Sequence, residues 1–187
     1  MENKPDRGRK NIRLKDFDYS TAGYYFVTVV SHKRKNIFSE IIDRELNLNR
    51  LGLIVEKTWQ EIPMHFPYIV VDSYVVMPNH FHGIVIINKV GAQHAEPLRH
   101  AELQIKTQPL GVIVRSFKSA VTKRVHDLGL FVGEKIWQRN YYEHIIRDEH
   151  DHQQIADYIL SNPFNWEYDH ENPENIESFS KIYLKNP

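Results

Sequence analysis

An α+β sandwich is the fold class this sequence predicts, on three observations. The run Gly23-Tyr24-Tyr25-Phe26-Val27-Thr28-Val29-Val30 is dense in aromatic and β-branched residues and reads as a strand. From Leu51 to Ile62 apolar residues fall at helical spacing, and Pro63 and Pro67 close that helix. Tyr68 to Met77 and Phe81 to Ile87 are two further strand runs joined by a short Pro-Asn connection, which makes them a hairpin. Strand, helix, strand, strand is therefore in place by residue 88.

The remaining elements follow in order. Glu45 to Asn49 alternates polar and apolar residues as a short half-exposed strand. Residues 88–109 carry Gly, Pro, Gln and two copies of His-Ala-Glu with little apolar periodicity, and read as a mobile loop. From Gly111 to His126, Val114, Phe117, Val121 and Val125 mark one apolar stripe of a helix, and Arg115 and Lys118 fall on another face. Tyr141 to Ile146 reads as a strand. Asp148 then caps a helix ending near Pro163, with Glu149 and Asp151 in its first turn. The sheet is expected to be antiparallel, with the Phe81 strand central and the helices on one face.

Composition narrows the function. A chain of 187 residues with 41% hydrophobic and 26% charged content fits one soluble domain, 1–187, with a basic arm at 1–18 and an acidic tail at 167–187. No apolar stretch follows the basic arm that would serve as a signal sequence or membrane span, so the expectation is a cytoplasmic protein. The absence of cysteine removes disulfides, thiolate nucleophiles and Cys-type zinc sites. Net charge is zero, yet its distribution is uneven. Six basic and two acidic side chains occupy the first 15 residues, the helix carries Arg115, Lys118, Lys123 and Arg124 without a carboxylate from Gly111 to His126, and the acid collects in the last stretch. A basic face able to meet phosphates fits this pattern, as does a merely solvated one.

The chemistry-bearing residues sit in two places. His80 and His82 open the Phe81 strand, and residues two apart on a strand share a face, so both imidazoles project together at a divalent-metal ligand spacing. On the last helix, Ile155 and Ile159 lie on the apolar side, whereas Gln154, Tyr158 and Asn162 are successively four apart on a polar line. Two imidazoles and the Asn162 oxygen leave octahedral positions open for water and a phosphate oxygen, which fits Mg²⁺ or Mn²⁺. Tyr158 then stands as a nucleophile beside a three-ligand site. A free phenol has a pKa of about 10, so roughly a thousandth is ionised at neutral pH, and a cation acting as a Lewis acid on a phosphate also favours the phenolate. Tyr141 and Tyr142 are rival nucleophiles, but neither has a carboxamide one turn away. Trp137, Tyr141 and Tyr142, interleaved with Arg139 and Arg147, are the right types to stack on unpaired bases and meet phosphates, although each aromatic taken singly also suits a core.

Met77-Pro78-Asn79-His80-Phe81-His82 resembles the His-hydrophobic-His motif of the HUH single-strand endonucleases. Ile136-Trp137-Gln138 through Arg147, followed by Asp157-Tyr158-Ile159-Leu160-Ser161-Asn162-Pro163, is similar to the REP-associated tyrosine transposases, a single-tyrosine branch of that superfamily. The likeness spans roughly Gly23 to Trp166. It implies a ferredoxin-like sandwich and a single tyrosine, Tyr158, that attacks single-stranded DNA beside a hairpin to leave a 5′-phosphotyrosine and a free 3′-hydroxyl. It implies His80, His82 and Asn162 as ligands of Mg²⁺ or Mn²⁺, and a monomer or homodimer. Candidate DNA contacts are Arg115, Lys118, Lys123, Arg124, Trp137, Arg139 and Arg147. Two other functions fit the same residues: a structured DNA- or RNA-binding regulator that does not cut, and a metal phosphodiesterase that uses activated water.

Overall fold

The computed structural model describes residues 17–89, 107–130, 135–169 and 171–173. Most of the basic arm, 90–106 of the expected loop and the end of the acidic tail lie outside the described residues. In chain order the elements are β1 (Gly23–Val30), β2 (Ser39–Ile42), β3 (Glu45–Leu48), α1 (Arg50–Gln60), α2 (Ile62–His65), β4 (Ile69–Val76), β5 (His80–Ile87), α3 (Leu110–Asp127), β6 (Tyr142–Ile146) and α4 (Glu149–Ser161).

Four strands form one antiparallel sheet in the order β4-β5-β1-β6, and β2 and β3 form a separate two-stranded ribbon. Counting only the sheet strands, the path β-α-β-β-α-β with this order is the ferredoxin-like arrangement of two interlocked split βαβ units. Because β1 and β4 run parallel with β5 between them, α1 must cross over, and so must α3 between β5 and β6. A common crossover hand puts both helices on one face, and α1 and α3 do pack side by side there.

The expectation that all helices share one face does not hold. Alternation along β1 and β5 divides the interior into two cores. Tyr25, Val27, Val29, Phe81, Val85 and Ile87 face α1 and α3, with Trp59, Phe117 and Val121 filling the space between. Phe26, Ile84, Ile146 and Val75 face the other way, against Ala156 and Ile159 of α4. Helix α4 follows the last strand and is not a crossover, so the handedness rule does not bind it, and it covers the face that would otherwise be bare.

Local signals account for the boundaries. Asn49 accepts hydrogen bonds from the amides of Leu51 and Gly52 and starts α1; Asp148 accepts from the Asp151 amide at 2.9 Å and starts α4. Pro63 ends α1 as expected and then occupies the first turn of the short α2. The connection between β4 and β5 is Met77-Pro78-Asn79, closed by the Met77 amide on the His80 carbonyl at 2.8 Å, so His80 itself begins the strand.

Gly83 fixes how closely α1 approaches the sheet. A Cβ at this position would lie 2.6 Å from Trp59 Cζ2 and 2.9 Å from the Phe81 ring. Both rings are fully buried and cannot retreat. Gly83→Ala is expected to cost about 1–3 kcal/mol of stability by overpacking, read as a lowered urea midpoint.

Candidate active site

The strand register aligns a row of side chains across the sheet on the α4 face. Thr28 pairs with His82 on one side and with Tyr142 on the other, and Val30 pairs with His80. The two histidines are almost completely buried, with ring centroids 4.4 Å apart. Each is held from behind. Thr28 Oγ1 lies 2.8 Å from His82 Nδ1, and Asn79 Oδ1 lies 2.8 Å from His80 Nδ1.

The Asn79 amide cannot be turned round, because its Nδ2 faces two backbone carbonyls, Glu171 at 2.7 Å and Arg34 at 3.3 Å. Its oxygen therefore faces His80, the proton of neutral His80 resides on Nδ1, and the Nε2 lone pair points into the site. Asp169 Oδ2 is 3.9 Å from that nitrogen. One ligand atom each from His80, His82 and Asp169 lies within 4.8 Å of the others, and all three residues are buried.

Helix α4 brings the other partners. Tyr158 Oη is 3.3 Å from His82 Nε2, and its ring meets the His82 and Phe26 rings edge-on at 5.3 and 6.2 Å. The residue keeps 40% of its surface exposed, so its oxygen touches the histidine while the site stays open to an incoming chain. Asn162 caps the C-terminus of α4 in helical geometry despite preceding Pro163. It is buried, its Nδ2 donates to Asp169 Oδ2 at 3.0 Å, and its Oδ1 has no hydrogen-bond partner.

A buried orphan amide oxygen, two imidazoles and a carboxylate form a donor set rich in lone pairs, and a hard or borderline divalent cation fits it. Burial is the main cause pushing the Tyr158 phenol up to about 12. The negative charge of Asp169 adds to it, the Asn162 amide opposes it and Glu171 adds a further push.

The structure thus brings together Tyr158, His80, His82 and Asn162 from the sequence reading, and adds Asp169, Thr28 and Asn79. Asp169 belongs to the stretch expected to be an acidic tail, where its neighbours Glu167 and Glu171 made it look like one solvated charge among several. Asp169, Glu171 and Asn172 are instead buried, Asp169 beside His80 and Glu171 with its carbonyl on Asn79 Nδ2. The β-branched Thr28 carried no sign that its hydroxyl, and not its methyl group, would be used.

The candidate DNA contacts divide. Arg139, in the loop before β6, and Arg147, just after it, are exposed. The α3 cations lie across the sheet from Tyr158. Arg115 is exposed there, and Lys123 pairs with Asp127 at 2.6 Å. Arg124 contacts Glu61 and donates to Thr58 Oγ1 at 3.0 Å. Lys118 donates to the Gln138 carbonyl at 2.6 Å and reaches those of Arg139 and Asn140, and burial pulls its pKa down to about 8. It holds the loop before β6 that carries Arg139. Trp137 is 8% exposed and packs against Phe38 and Phe117, so of its two readings the structure shows the core one.

No family model matches the chain. An uncharacterized protein of Haemophilus influenzae is 42% identical over 166 residues, which cover 86% of this chain and 91% of that protein. A second Haemophilus influenzae protein, described as a "Putative REP-associated tyrosine transposase", is 25% identical over 152 residues, covering 81% of this chain and 76% of its own. Among solved structures, a REP-associated tyrosine transposase bound to a REP hairpin aligns over 84% of this chain and 75% of that one, with 20% identity and a TM-score of 0.57, and it shares the fold. The histidine pair on β5 and the tyrosine that α4 lays against it thus stand in a chain that is similar in sequence to a protein described as a putative REP-associated tyrosine transposase and that shares the fold of a solved one.

Proposed function

We propose that the protein cleaves and rejoins single-stranded DNA beside a hairpin, with Tyr158 as the nucleophile and a Mg²⁺ or Mn²⁺ ion held by His80 and His82 with oxygen ligands from Asn162 and Asp169. The observation that carries this reading is the 3.3 Å approach of Tyr158 Oη to His82 Nε2. A sequence separation of 76 residues is closed to place a phenol at the edge of the ligand cluster. The solved relative with a bound REP hairpin supports a stem-loop as the partner.

In the proposed step Tyr158 Oη bonds to the scissile phosphorus and loses its proton to solvent. The bond from phosphorus to the upstream 3′ oxygen breaks, and that oxygen takes up a proton and leaves as a 3′-hydroxyl. One phosphodiester replaces another, so the reverse attack by a 3′-hydroxyl reseals the strand without nucleotide hydrolysis. A divalent cation, when bound, supplies the positive charge that lowers the phenol pKa and stabilises charge on the phosphate oxygens. Thr28 and Asn79 keep both imidazoles oriented, and Phe26 keeps the Tyr158 ring against His82.

A labelled DNA stem-loop flanked by single strands, incubated with the protein and Mn²⁺ or Mg²⁺, is expected to yield a denaturation-resistant protein–DNA adduct that chelator prevents. Binding that persists in chelator with no adduct under either cation would favour the non-cutting regulator. Thr28→Val keeps the shape and removes the hydroxyl behind His82; Mn²⁺ affinity, measured by calorimetry, is expected to fall about 10- to 100-fold.

A further inference from the structure

The row Tyr142–Thr28–His82 continues past the ligand cluster to the edge of the sheet. Helix α4 packs over β4 and β5, and Tyr142 on edge strand β6 remains 48% exposed on the same face. Directly opposed residues on neighbouring strands share a face, so the Tyr142 ring stands two strand spacings, roughly 10 Å, from the row position of His82. Its sequence neighbours cannot serve there. Tyr141 packs on the α1/α3 core, and Trp137 is buried in it. Of the three aromatics in this basic stretch, only Tyr142 combines exposure with the face that Tyr158 occupies. Arg139, in the loop three residues before Tyr142, and Arg147, just after the strand, are both exposed.

We propose that Tyr142 is a stacking platform for an unpaired base of the DNA strand whose phosphate is presented to Tyr158, which makes it a positioning residue for the substrate. This rests on the function proposed above and specifies where the single strand runs: out of the ligand cluster, along the Thr28 row and over the β6 edge. Every base offers a π-face, so such a platform holds the strand without dictating its sequence, and the flanking arginines suit the adjoining phosphates. A tyrosine that only stabilised the strand pair with Thr28 would have no preference for single-stranded over blunt DNA.

The test uses full-length protein carrying Tyr158→Phe, so that binding is read without cleavage. The probe is a DNA stem-loop with oligothymidylate extensions holding 2-aminopurine at one position at a time, alongside the same stem-loop made blunt. Tyr142→Ala is expected to weaken binding of the extended probe about 5- to 150-fold, to abolish fluorescence quenching at one position and to leave blunt-hairpin affinity unchanged. Tyr142→Phe is expected to retain both quenching and affinity. Equal losses on blunt and extended probes, or unchanged quenching in Tyr142→Ala, would overturn the proposal while leaving the tyrosine nuclease reading intact. If the parent protein binds neither DNA, that broader reading fails first.

Discussion

Tyr158→Phe is expected to abolish the proposed covalent DNA adduct while leaving the fold and hairpin binding in place. The substitution deletes one oxygen from a side chain whose ring contacts with His82 and Phe26 remain. That oxygen lies 3.3 Å from His82 Nε2 and also meets the Asn162 amide at the half-exposed rim of the site, so the loss of stability is modest. Adduct formation, followed by denaturing gel and mass spectrometry, is expected to fall below detection, and an adduct that survives would remove Tyr158 from the mechanism. The same variant reports on the electrostatics. Folding holds the phenol at about 12 against about 10 in an unfolded chain, so between those values the unfolded chain has lost a proton that the folded one retains. Stability contributed by this residue is complete below pH 10 and is lost as pH rises toward 12. The variant should lose less stability across that alkaline window than the parent does, with Tyr25, also raised to about 12, sloping both curves alike.

His82→Ala is expected to eliminate Mn²⁺ binding and the proposed adduct together, and to leave hairpin binding in place. His82 is the one ligand candidate in contact with both Thr28 and Tyr158, so its loss removes a proposed metal ligand and the group against which the proposed nucleophile is seated. The imidazole is also stacked on Phe26 at 5.2 Å and buried, and a cavity there lowers stability. His80→Ala is therefore the companion variant, since a common loss of metal binding cannot come from one local cavity. Calorimetric titration with Mn²⁺ checks the first expectation and electrophoretic shift in chelator the second. Taken with Tyr158→Phe, the pair separates three chemistries. A phosphodiesterase using activated water survives loss of Tyr158 but not of His82, a regulator survives both for binding, and a tyrosine nuclease survives neither for cleavage.

The parts of this molecule that were legible in its sequence are those where one periodicity dominates. β1, β4, β5 and β6, the α3 stripe of Val114, Phe117, Val121 and Val125, and the Asp148 cap of α4 each declare themselves within a dozen residues. Strand β2 does not. Ser39-Glu40-Ile41-Ile42 is too short to show alternation, and its turn to β3 runs through Asp43 and Arg44 at φ 52° and 66°, left-handed positions without the glycine or asparagine that normally signals such a turn. That the Tyr158 helix lies against the histidine strand was legible from the residues that must meet, but that α1 and α3 pack on the opposite face was not, because a stripe states which helix face is apolar and not which layer it meets. At the site, spacing gave the histidine pair and the Tyr158–Asn162 turn, but Asp169 was hidden by its acidic neighbours. Trp137 shows the converse limit: identity and basic company suit nucleic acid equally well whether a ring is exposed or enclosed.

The division of the interior into two cores has a mechanical consequence. The larger core is closed by both crossovers and does not require α4, which is tied to the sheet through the short step from Ile146 to Glu149 and through a smaller apolar patch. Elements with few buried contacts open at lower free energy than the body of a domain. In the proposed reaction a strand end joined to Tyr158 would be carried by a helix that the larger core does not need, so it could move away from its former neighbour while the sheet keeps its register.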